Sequence, residues 1–358
     1  GEGRSVRGSN APGYMVKLSE AAKFLAAVMD GRKPAYLLQE ALTTSDFPQL
    51  FGDILDRQLL ANYREWPRTY QNYCKVSQVR DFRTVKRFRV DGAESVLSTV
   101  AEQAEYPGSS VSDDQYSYSV AKYGRRMPFS WETIINDDLD ALKDIPMRFG
   151  RAARRTEERF ATALFVSSTG PNSTFFSNTN KNIVNTTNGA TATNPPLSIS
   201  GLQDAFTVLM NQVDADGEPI VVEAVELVVP TALEVTAMNI LNALELRINE
   251  AGGTSNQQLV TTNWMKSRVR VSVNPYLSLI ATTNGKTSWY LFANPNNGRP
   301  AIEVGFLRGH TEPEIFLKEP NARRVGGASD PMGGDFDTDS LQYKVLHVLG
   351  GTLMDPKM

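Results

Sequence analysis

The sequence predicts an α+β protein in which an extended hairpin and a long helix precede a compact domain. Three features carry this prediction: a polar hairpin pattern from Asp91 to Met127, a helical pattern that continues to about Ser168, and alternating helix and strand patterns after residue 200. A chain of 358 residues is long enough for about two domains.

The N-terminal third is predicted to be an arm that carries two helices. The first 14 residues are rich in glycine and lack periodicity, which indicates a flexible arm. Apolar residues then recur at helical spacing from Val16 to Val28 and from Phe51 to Leu60. The sequence begins with Gly1, so we expect either a trimmed sequence or proteolytic maturation of a longer precursor.

A basic segment follows these helices. The whole chain has a formal charge of −3, but residues 1–92 contain 15 basic and 10 acidic side chains. Six of the cations lie between positions 75 and 89, where alternating apolar and charged residues predict a single strand. These six are Lys75, Arg80, Arg83, Lys86, Arg87 and Arg89.

The hairpin pattern has two polar arms, Glu94 to Ala101 and Gln115 to Tyr123, and a tip rich in glycine and serine. Neither face of the returning arm is apolar enough to form a core. Arms of about 15 residues would reach about 50 Å, which exceeds the ~20 Å radius of gyration of a compact domain of this length. We therefore expect the hairpin to lie on a neighbouring chain. Its predicted contact residues are Glu102, Glu105, Tyr106, Tyr116, Tyr118 and Lys122.

The longest predicted helix follows the hairpin. It has a start signal at 136–139, a second start at Ile145-Pro146 and a stop at Gly170-Pro171. About 24 residues from Ile145 onward would span about 36 Å. Arg154 is expected to pair with Glu158 one turn later. Four other arginines recur at spacings of three and four residues and form a charged stripe: Arg148, Arg151, Arg155 and Arg159.

The remainder of the chain predicts a loop and then a mixed sheet covered by helices. Residues 167–200, rich in asparagine, serine and threonine, are expected to form a long surface loop. Ser200 is the predicted cap of the next helix, and Thr231 with Glu234 forms a capping box for another. Asn284-Gly285 predicts a hairpin turn between 277–280 and 289–292. Strands are expected at 220–229, 269–273, 301–306, 314–318 and 341–349.

The sequence offers no set of residues for catalysis, cofactor binding or metal binding. His310 and His347 are the two histidines, and no nucleophile motif accompanies them. The spacing of aspartates at 335, 337 and 339 resembles a calcium loop, but Ser340 and Leu346 stand where such a loop needs glycine and glutamate. Cys74 is the single cysteine, which excludes an intrachain disulfide. The longest apolar stretch, 221–229, is too short to span a bilayer, so no membrane partner is expected.

Several motifs occur in the order typical of one family. They are Ala101-Glu-Gln-Ala-Glu-Tyr106, Lys122-Tyr-Gly-Arg125, the run from Phe129 to Leu139, and Trp289-Tyr-Leu-Phe-Ala-Asn-Pro295. In this order the chain resembles tailed-bacteriophage major capsid proteins with the Hong Kong 97 type capsid fold. Thr44-Ser-Asp-Phe-Pro-Gln-Leu50 is similar to the Mu-like branch of these proteins. The resemblance covers roughly residues 40–358.

The resemblance implies a division of the chain into five parts. These are an N-terminal arm over 1–90, an E-loop hairpin over 91–130, a spine helix and loop of the peripheral domain over 131–199, a mainly axial domain over 200–300, and return strands of the peripheral domain over 301–358. It also implies a non-enzymatic major head protein that forms hexamers and pentamers of an icosahedral shell. Implied partners are further copies of the chain, portal, scaffold or decoration proteins, and packaged double-stranded DNA.

The same resemblance implies assembly in the bacterial cytoplasm and maturation of a procapsid to a virion head. Some members crosslink a hairpin lysine to a partner asparagine, but no lysine lies between Val90 and Ala121, so we expect no such crosslink. The arginine stripe and the basic segment have two interpretations. Their side chains either pair with carboxylates of the same or adjoining chains, or make sequence-independent contacts with DNA.

Three alternatives to a phage shell subunit stay open at this point. An encapsulin-like nanocompartment would use the same fold around protein cargo, although the long N-terminal arm favours the phage subunit. A hydrolase whose acidic pair is far apart in sequence would show turnover. A tail or surface adhesin would be consistent with the loop over 167–200.

Overall fold

A computed structural model describes most of the chain from residue 47 onward. The described residues are 47–91, 99–100, 112–130, 139–214, 217–221, 225–243, 245–249, 258–296, 298–318 and 340–358, with Lys23, Ala27 and Asp337. They divide into two compact units. The first comprises positions up to Pro67, Lys122–Arg155 and Gly309–Val348, and the second comprises Arg68–Ala121, Thr156–Arg308 and Leu349–Met358.

Six helices and fourteen strands are assigned in the described residues. The helices are α1 (Phe47–Glu65), α2 (Leu139–Phe165), α3 (Ile199–Met210), α4 (Glu234–Asn242), α5 (Met265–Arg268) and α6 (Tyr276–Ile280). The strands are β1 (Lys75–Val79), β2 (Val85–Asp91), β3 (Ser112–Tyr118), β4 (Val120–Ser130), β5 (Val166–Ser167), β6 (Gly170–Pro171), β7 (Val225–Val229), β8 (Glu245–Asn249), β9 (Gln258–Thr262), β10 (Val269–Val273), β11 (Tyr290–Ala293), β12 (Ile302–Leu307), β13 (Glu314–Leu317) and β14 (Ser340–Leu353).

The first unit is built from α1, the first half of α2 and antiparallel strands. β13 pairs with the early part of β14, with Glu314 opposite Leu346. Helix α1 packs on α2 at Gly150. Because glycine has no side chain, the two helix backbones approach closely there. The apolar side chains of Leu59 and Phe149 are buried beside this crossing.

The second unit contains two larger sheets and three two-stranded sheets, β2–β3, β5–β6 and β8–β9. β1 lies parallel to β12, and β12 lies antiparallel to the end of β14, with Phe306 opposite Leu349. In the other sheet β7 is central, parallel to β10 and antiparallel to β11. All five residues of β7 are buried, as expected for a strand covered on both faces. Tyr73 and Phe165 pack against Phe292 in the aromatic core of this unit.

Much of the predicted order of elements is confirmed, including strands at 269–273, 302–307 and 314–317. The predicted strand 220–229 is confirmed over Val225–Val229. The predicted strand 341–349 is longer, because β14 continues to Leu353 along β12. The signals for helix starts were less accurate. Ser198 and not Ser200 caps α3 by accepting from the Gly201 amide, and Thr231 begins a short 3-10 helix before α4.

The long helix does not restart at Pro146 as predicted. Helix α2 runs for 27 residues from Leu139, a length of about 40 Å, and holds Pro146 inside its third turn. Proline lacks an N–H, so it cannot bond the carbonyl four residues earlier. Helix α2 therefore lacks one backbone hydrogen bond at Pro146, a residue that is itself buried.

The predicted hairpin around Asn284-Gly285 is wrong. Residues Tyr276–Ile280 form helix α6, and β11 pairs with β7, which lies about 60 residues earlier in the sequence. Gly285 lies against the end of α6, where a Cβ atom would approach the Ala281 carbonyl oxygen to 2.2 Å. The glycine therefore serves close packing on a helix and not a two-residue turn.

The basic segment forms two strands instead of one. β1 joins the sheet beside β12, and β2 pairs antiparallel with β3, with Val85 opposite Tyr118 and Asp91 opposite Ser112. The rising arm of the hairpin therefore begins at Val85 and not at Glu94. The seven described residue pairs span about 23 Å. The predicted hairpin tip, with Glu102, Glu105 and Tyr106, lies outside the described residues.

Candidate functional site

The two faces of strand β2 differ in what they contact. Lys86 and Phe88 point outward, and 58% of Phe88 is exposed. Arg87 and Arg89, which point the other way because side chains alternate along a strand, are partly buried. The inner face of this strand therefore presents guanidinium groups where a strand packed on a core normally presents apolar side chains.

The inner guanidinium of Arg87 lies beside a buried carboxylate. Glu303, on β12, is 1% exposed. Its Oε1 accepts from Ser77 Oγ at 2.5 Å, from Tyr118 Oη at 2.7 Å and from Arg87 Nε at 3.0 Å. We call Glu303, Ser77, Arg87 and Tyr118 the Glu303 cluster. One carboxylate thus joins β1, β2 and β3 to β12.

The electrostatics of the Glu303 cluster favour the charged carboxylate. Burial by itself raises the pKa of Glu303, but hydrogen bonds from Ser77, Tyr118 and Arg87, together with the charge of Arg87, lower it overall below its ordinary value. Desolvation and the hydrogen bond to Glu303 raise the pKa of Tyr118. Glu303 is therefore ionised and Tyr118 is neutral at neutral pH, which matches the direction of their hydrogen bond.

Arg89 makes a second attachment of the hairpin. Its Nη1 lies 2.9 Å from Asp355 Oδ2 and donates to Tyr116 Oη at 3.2 Å. The Asp355 side chain is 2% exposed. A groove of about 560 Å³ opens beside this pair, bordered by Phe88 and Val221 among others.

These placements differ from what the sequence suggested for the hairpin. Tyr118 was expected to contact another chain because neither face of its strand looked able to form a core. The structure buries Tyr118 and bonds it to Glu303, 185 positions away. Tyr116 is partly buried and bonded to Arg89, whereas Lys122 is exposed. A contact of Tyr116 and Lys122 with a second chain stays a prediction.

The basic segment is divided between inner and outer positions. Arg87 and Arg89 bind carboxylates of their own chain. The remaining four cations are exposed: Lys75, Arg80, Arg83 and Lys86. Arg83 lies 4.0 Å from Asp81 and is 91% exposed in its side chain, a weak surface pair. Contact of these four cations with DNA or with another chain stays a prediction.

The predicted arginine stripe lies on the outer face of α2. The side chains of Arg148, Arg151, Arg155 and Arg159 are all exposed. The Arg155 guanidinium lies 5.6 Å from the ring centroid of Trp66, a distance at which a cation attracts an aromatic face. The four arginines thus follow the periodicity of the helix. Their contact with DNA or with carboxylates of another chain stays a prediction.

Arg154, one position from the stripe, is buried. Arg154 is 2% exposed, and its Nη2 and Nε atoms donate to the Tyr63 carbonyl oxygen at 2.7 and 3.1 Å. The guanidinium carbon also lies 3.8 Å from the Tyr63 ring centroid. Sequence reasoning expected a surface pair with Glu158 and missed this role. The signal was the phase of the helix, since Arg154 lies four residues after the buried Gly150 and seven residues before the buried Ala161.

Two carboxylates of α2 anchor the segment before β1 in the second unit. Tyr70 Oη donates to Glu157 Oε2 at 2.9 Å, and the Thr69 amide and hydroxyl donate to Glu158 at 2.7 Å each. Burial raises the pKa of Glu158, and the bonds from Thr69 oppose this rise. Burial also raises the pKa of the Cys74 thiol well above its ordinary value. These groups serve structure, because each is buried within its own unit.

The described residues offer no assembled catalytic or metal centre. Among them, no three side chains of histidine, cysteine, aspartate or glutamate are placed to hold a metal ion. His347 is buried and packs edge-on against Tyr63, and His310 pairs with Glu314 at 2.5 Å on the surface. No helix within the described residues is long and apolar enough to cross a bilayer.

Comparison with known proteins gives one family match and several structural likenesses. A sequence model described as phage capsid protein matches residues 114–358. A search of curated protein sequences finds no match. The chain is similar to the capsid of Ralstonia phage GP4, with a TM-score of 0.48 and 10% identity over 78% of this chain and 82% of the other. The chain is also similar to a structure from Gordonia phage Cozz, with a TM-score of 0.44 and 13% identity over 82% of this chain and 86% of the other. A virus-like particle from Pyrococcus furiosus is similar with a TM-score of 0.40 and 11% identity over 86% of this chain and 96% of the other.

Proposed function

Because this chain belongs to the phage capsid protein family, we propose that it is the major shell subunit of a tailed-phage head. In this proposal it assembles into hexamers and pentamers of an icosahedral shell that encloses double-stranded DNA. The match of the family over residues 114–358 carries the proposal. Portal, scaffold and decoration proteins are the further partners that such a shell requires.

The outer face of the hairpin supports a role in contacts between copies. Phe88 is 58% exposed although phenylalanine is normally buried. Val221, across the neighbouring groove, is 76% exposed. Covering such side chains with a second copy would remove apolar surface from water, which stabilises association by about 25 cal/mol per Å².

Electron microscopy of the purified protein is expected to show closed shells or flat hexameric sheets. Assembly follows from the family and from the exposed apolar side chains of the hairpin. A preparation from cells without the gene is the control for contaminating particles. A monomer that persists over a range of salt concentrations and pH values contradicts the proposal. Shells that enclose protein cargo in place of DNA support the encapsulin-like alternative.

The arginine stripe is proposed to contact packaged DNA without regard to sequence. Changing Arg151, Arg155 and Arg159 together to glutamine is expected to weaken binding to double-stranded DNA. The slope of the logarithm of the binding constant against the logarithm of salt concentration should fall by about 0.9 for each lost phosphate contact. Fluorescence anisotropy with labelled DNA over a salt series measures both quantities.

The control for this experiment changes three other exposed cations, Lys266, Arg268 and Lys286, to glutamine. It alters the net charge equally, so a general charge effect would weaken DNA binding to the same extent in both variants. Equal loss, or no loss from the stripe, would contradict a DNA contact made by these arginines.

A further inference from the structure

The base of the β2–β3 hairpin is joined to the sheet mainly by polar contacts. Arg87 and Arg89 occupy the inner face of β2, and both bind buried carboxylates. The hydrogen bonds to Glu303 depend on angle as well as on distance, whereas hydrophobic attraction has no preferred direction. Such polar contacts therefore fix the orientation of the hairpin as well as the surface on which it lies.

The sheet leaves space for the ring of Tyr118 beside Glu303. Gly305 lies two residues after Glu303 on the same face of β12, and it pairs with Ser77 of β1. A Cβ atom at Gly305 would lie 2.5 Å from Tyr118 Oη and 2.7 Å from its Cε2. The ring therefore rests directly on the glycine backbone. This packing is independent of the hydrogen bond to Glu303 and places the same side chain.

The Glu303 cluster brings together residues that are remote in sequence. Ser77 and Glu303 are separated by 226 positions, and Arg87 and Glu303 by 216. Three donors converge on one oxygen of the carboxylate, so removing its charge weakens all three bonds at once. The stacked rings of Tyr73 and Phe292 lie in other elements of the same unit.

We propose that Glu303 acts as a latch that sets the direction of the β2–β3 hairpin before a subunit meets its neighbours. The Glu303 cluster holds the hairpin base on β1 and β12, so the outer face with Lys86 and Phe88 is presented in one orientation. The assembly part of this inference rests on the proposed shell function. The latch itself is a property of the single chain.

The test compares E303Q with the wild-type protein by measuring a distance in the unassembled chain. Spin labels are attached at Lys86→Cys on the hairpin and Lys266→Cys on α5, in a background where Cys74 is changed to alanine. The wild-type protein is expected to give one narrow distance distribution. E303Q keeps the side-chain size but loses the charge, so we expect the narrow distribution to be lost.

Two further variants keep the test decisive. E234Q removes an exposed carboxylate on α4 and is expected to keep the narrow distribution. Y118F removes a single hydroxyl and is expected to give an intermediate width, which preserves the test if E303Q fails to fold. An unchanged distribution in folded E303Q and in Y118F overturns the latch.

Assembly is measured separately by light scattering and electron microscopy. E303Q is expected to assemble more slowly than both the wild-type protein and E234Q. A mobile hairpin with assembly at the wild-type rate overturns the role of the latch in assembly. Absence of shells from the wild-type protein overturns the proposed function, while the distance measurement still decides the latch.

Discussion

Replacing Arg154 by alanine is expected to lower the free energy of unfolding by about 3–5 kcal/mol. The guanidinium is buried and donates twice to the Tyr63 carbonyl oxygen. Alanine leaves that carbonyl without these donors and leaves the space over the Tyr63 ring empty. Both an unsatisfied buried acceptor and a cavity are costly. Chemical denaturation of the unassembled protein at fixed concentration measures the change.

The control is Arg151→Ala, one turn earlier on the exposed face of the same helix. It removes the same side chain, and a change within about 0.5 kcal/mol is expected. Arg154→Lys keeps the charge but loses the planar fork, so it should fall between alanine and the wild-type residue. Equal effects of R154A and R151A would show that the buried contacts contribute nothing to stability.

Replacing Gly150 by alanine is expected to destabilise the protein by about 1–3 kcal/mol. Helix propensity alone predicts the opposite sign, a gain of about 1 kcal/mol. The added methyl would lie 2.8 Å from the Leu59 carbonyl oxygen and 3.1 Å from the Tyr63 amide nitrogen. Both atoms belong to the backbone of α1, which cannot rotate away, so α1 must move off α2. The steric cost therefore outweighs the gain in propensity.

Ala163→Gly provides the propensity reference, because Ala163 is exposed on the same helix. It should cost about 1 kcal/mol without any change in packing. Thermal or chemical unfolding of the two variants at equal concentration gives the comparison. A stabilised G150A would show that α1 does not rest on this glycine.

Periodicity predicted the elements more reliably than it predicted their partners. The stripe of exposed arginines on α2 follows directly from spacings of three and four residues. The hairpin was recognised from its polar alternation, but the strand that pairs with β3 is β2, which begins at Val85. A strand pattern states which residues share a face and contains no information about the strand it joins.

The residues typical of turns and helix starts predicted the structure less reliably than periodicity did. Asn284-Gly285 has the composition of a tight hairpin turn, yet the glycine packs on α6 and β11 joins β7. Pro146 likewise looked like a helix start and lies inside α2. In each case burial against other elements outweighed the local preference, which is worth only about 1–3 kcal/mol per residue.

The sequence by itself determined the α+β class, the long helix with its charged outer face, several of the strand segments after residue 200 and the resemblance to capsid proteins. These follow from local periodicity and motif order. Only the tertiary structure decided that Arg154 is buried against Tyr63 and that Glu303 collects Ser77, Arg87 and Tyr118 from three other strands. The physical reason is that a buried polar group needs a partner, and the fold chooses that partner by proximity in space, here across as many as 226 positions.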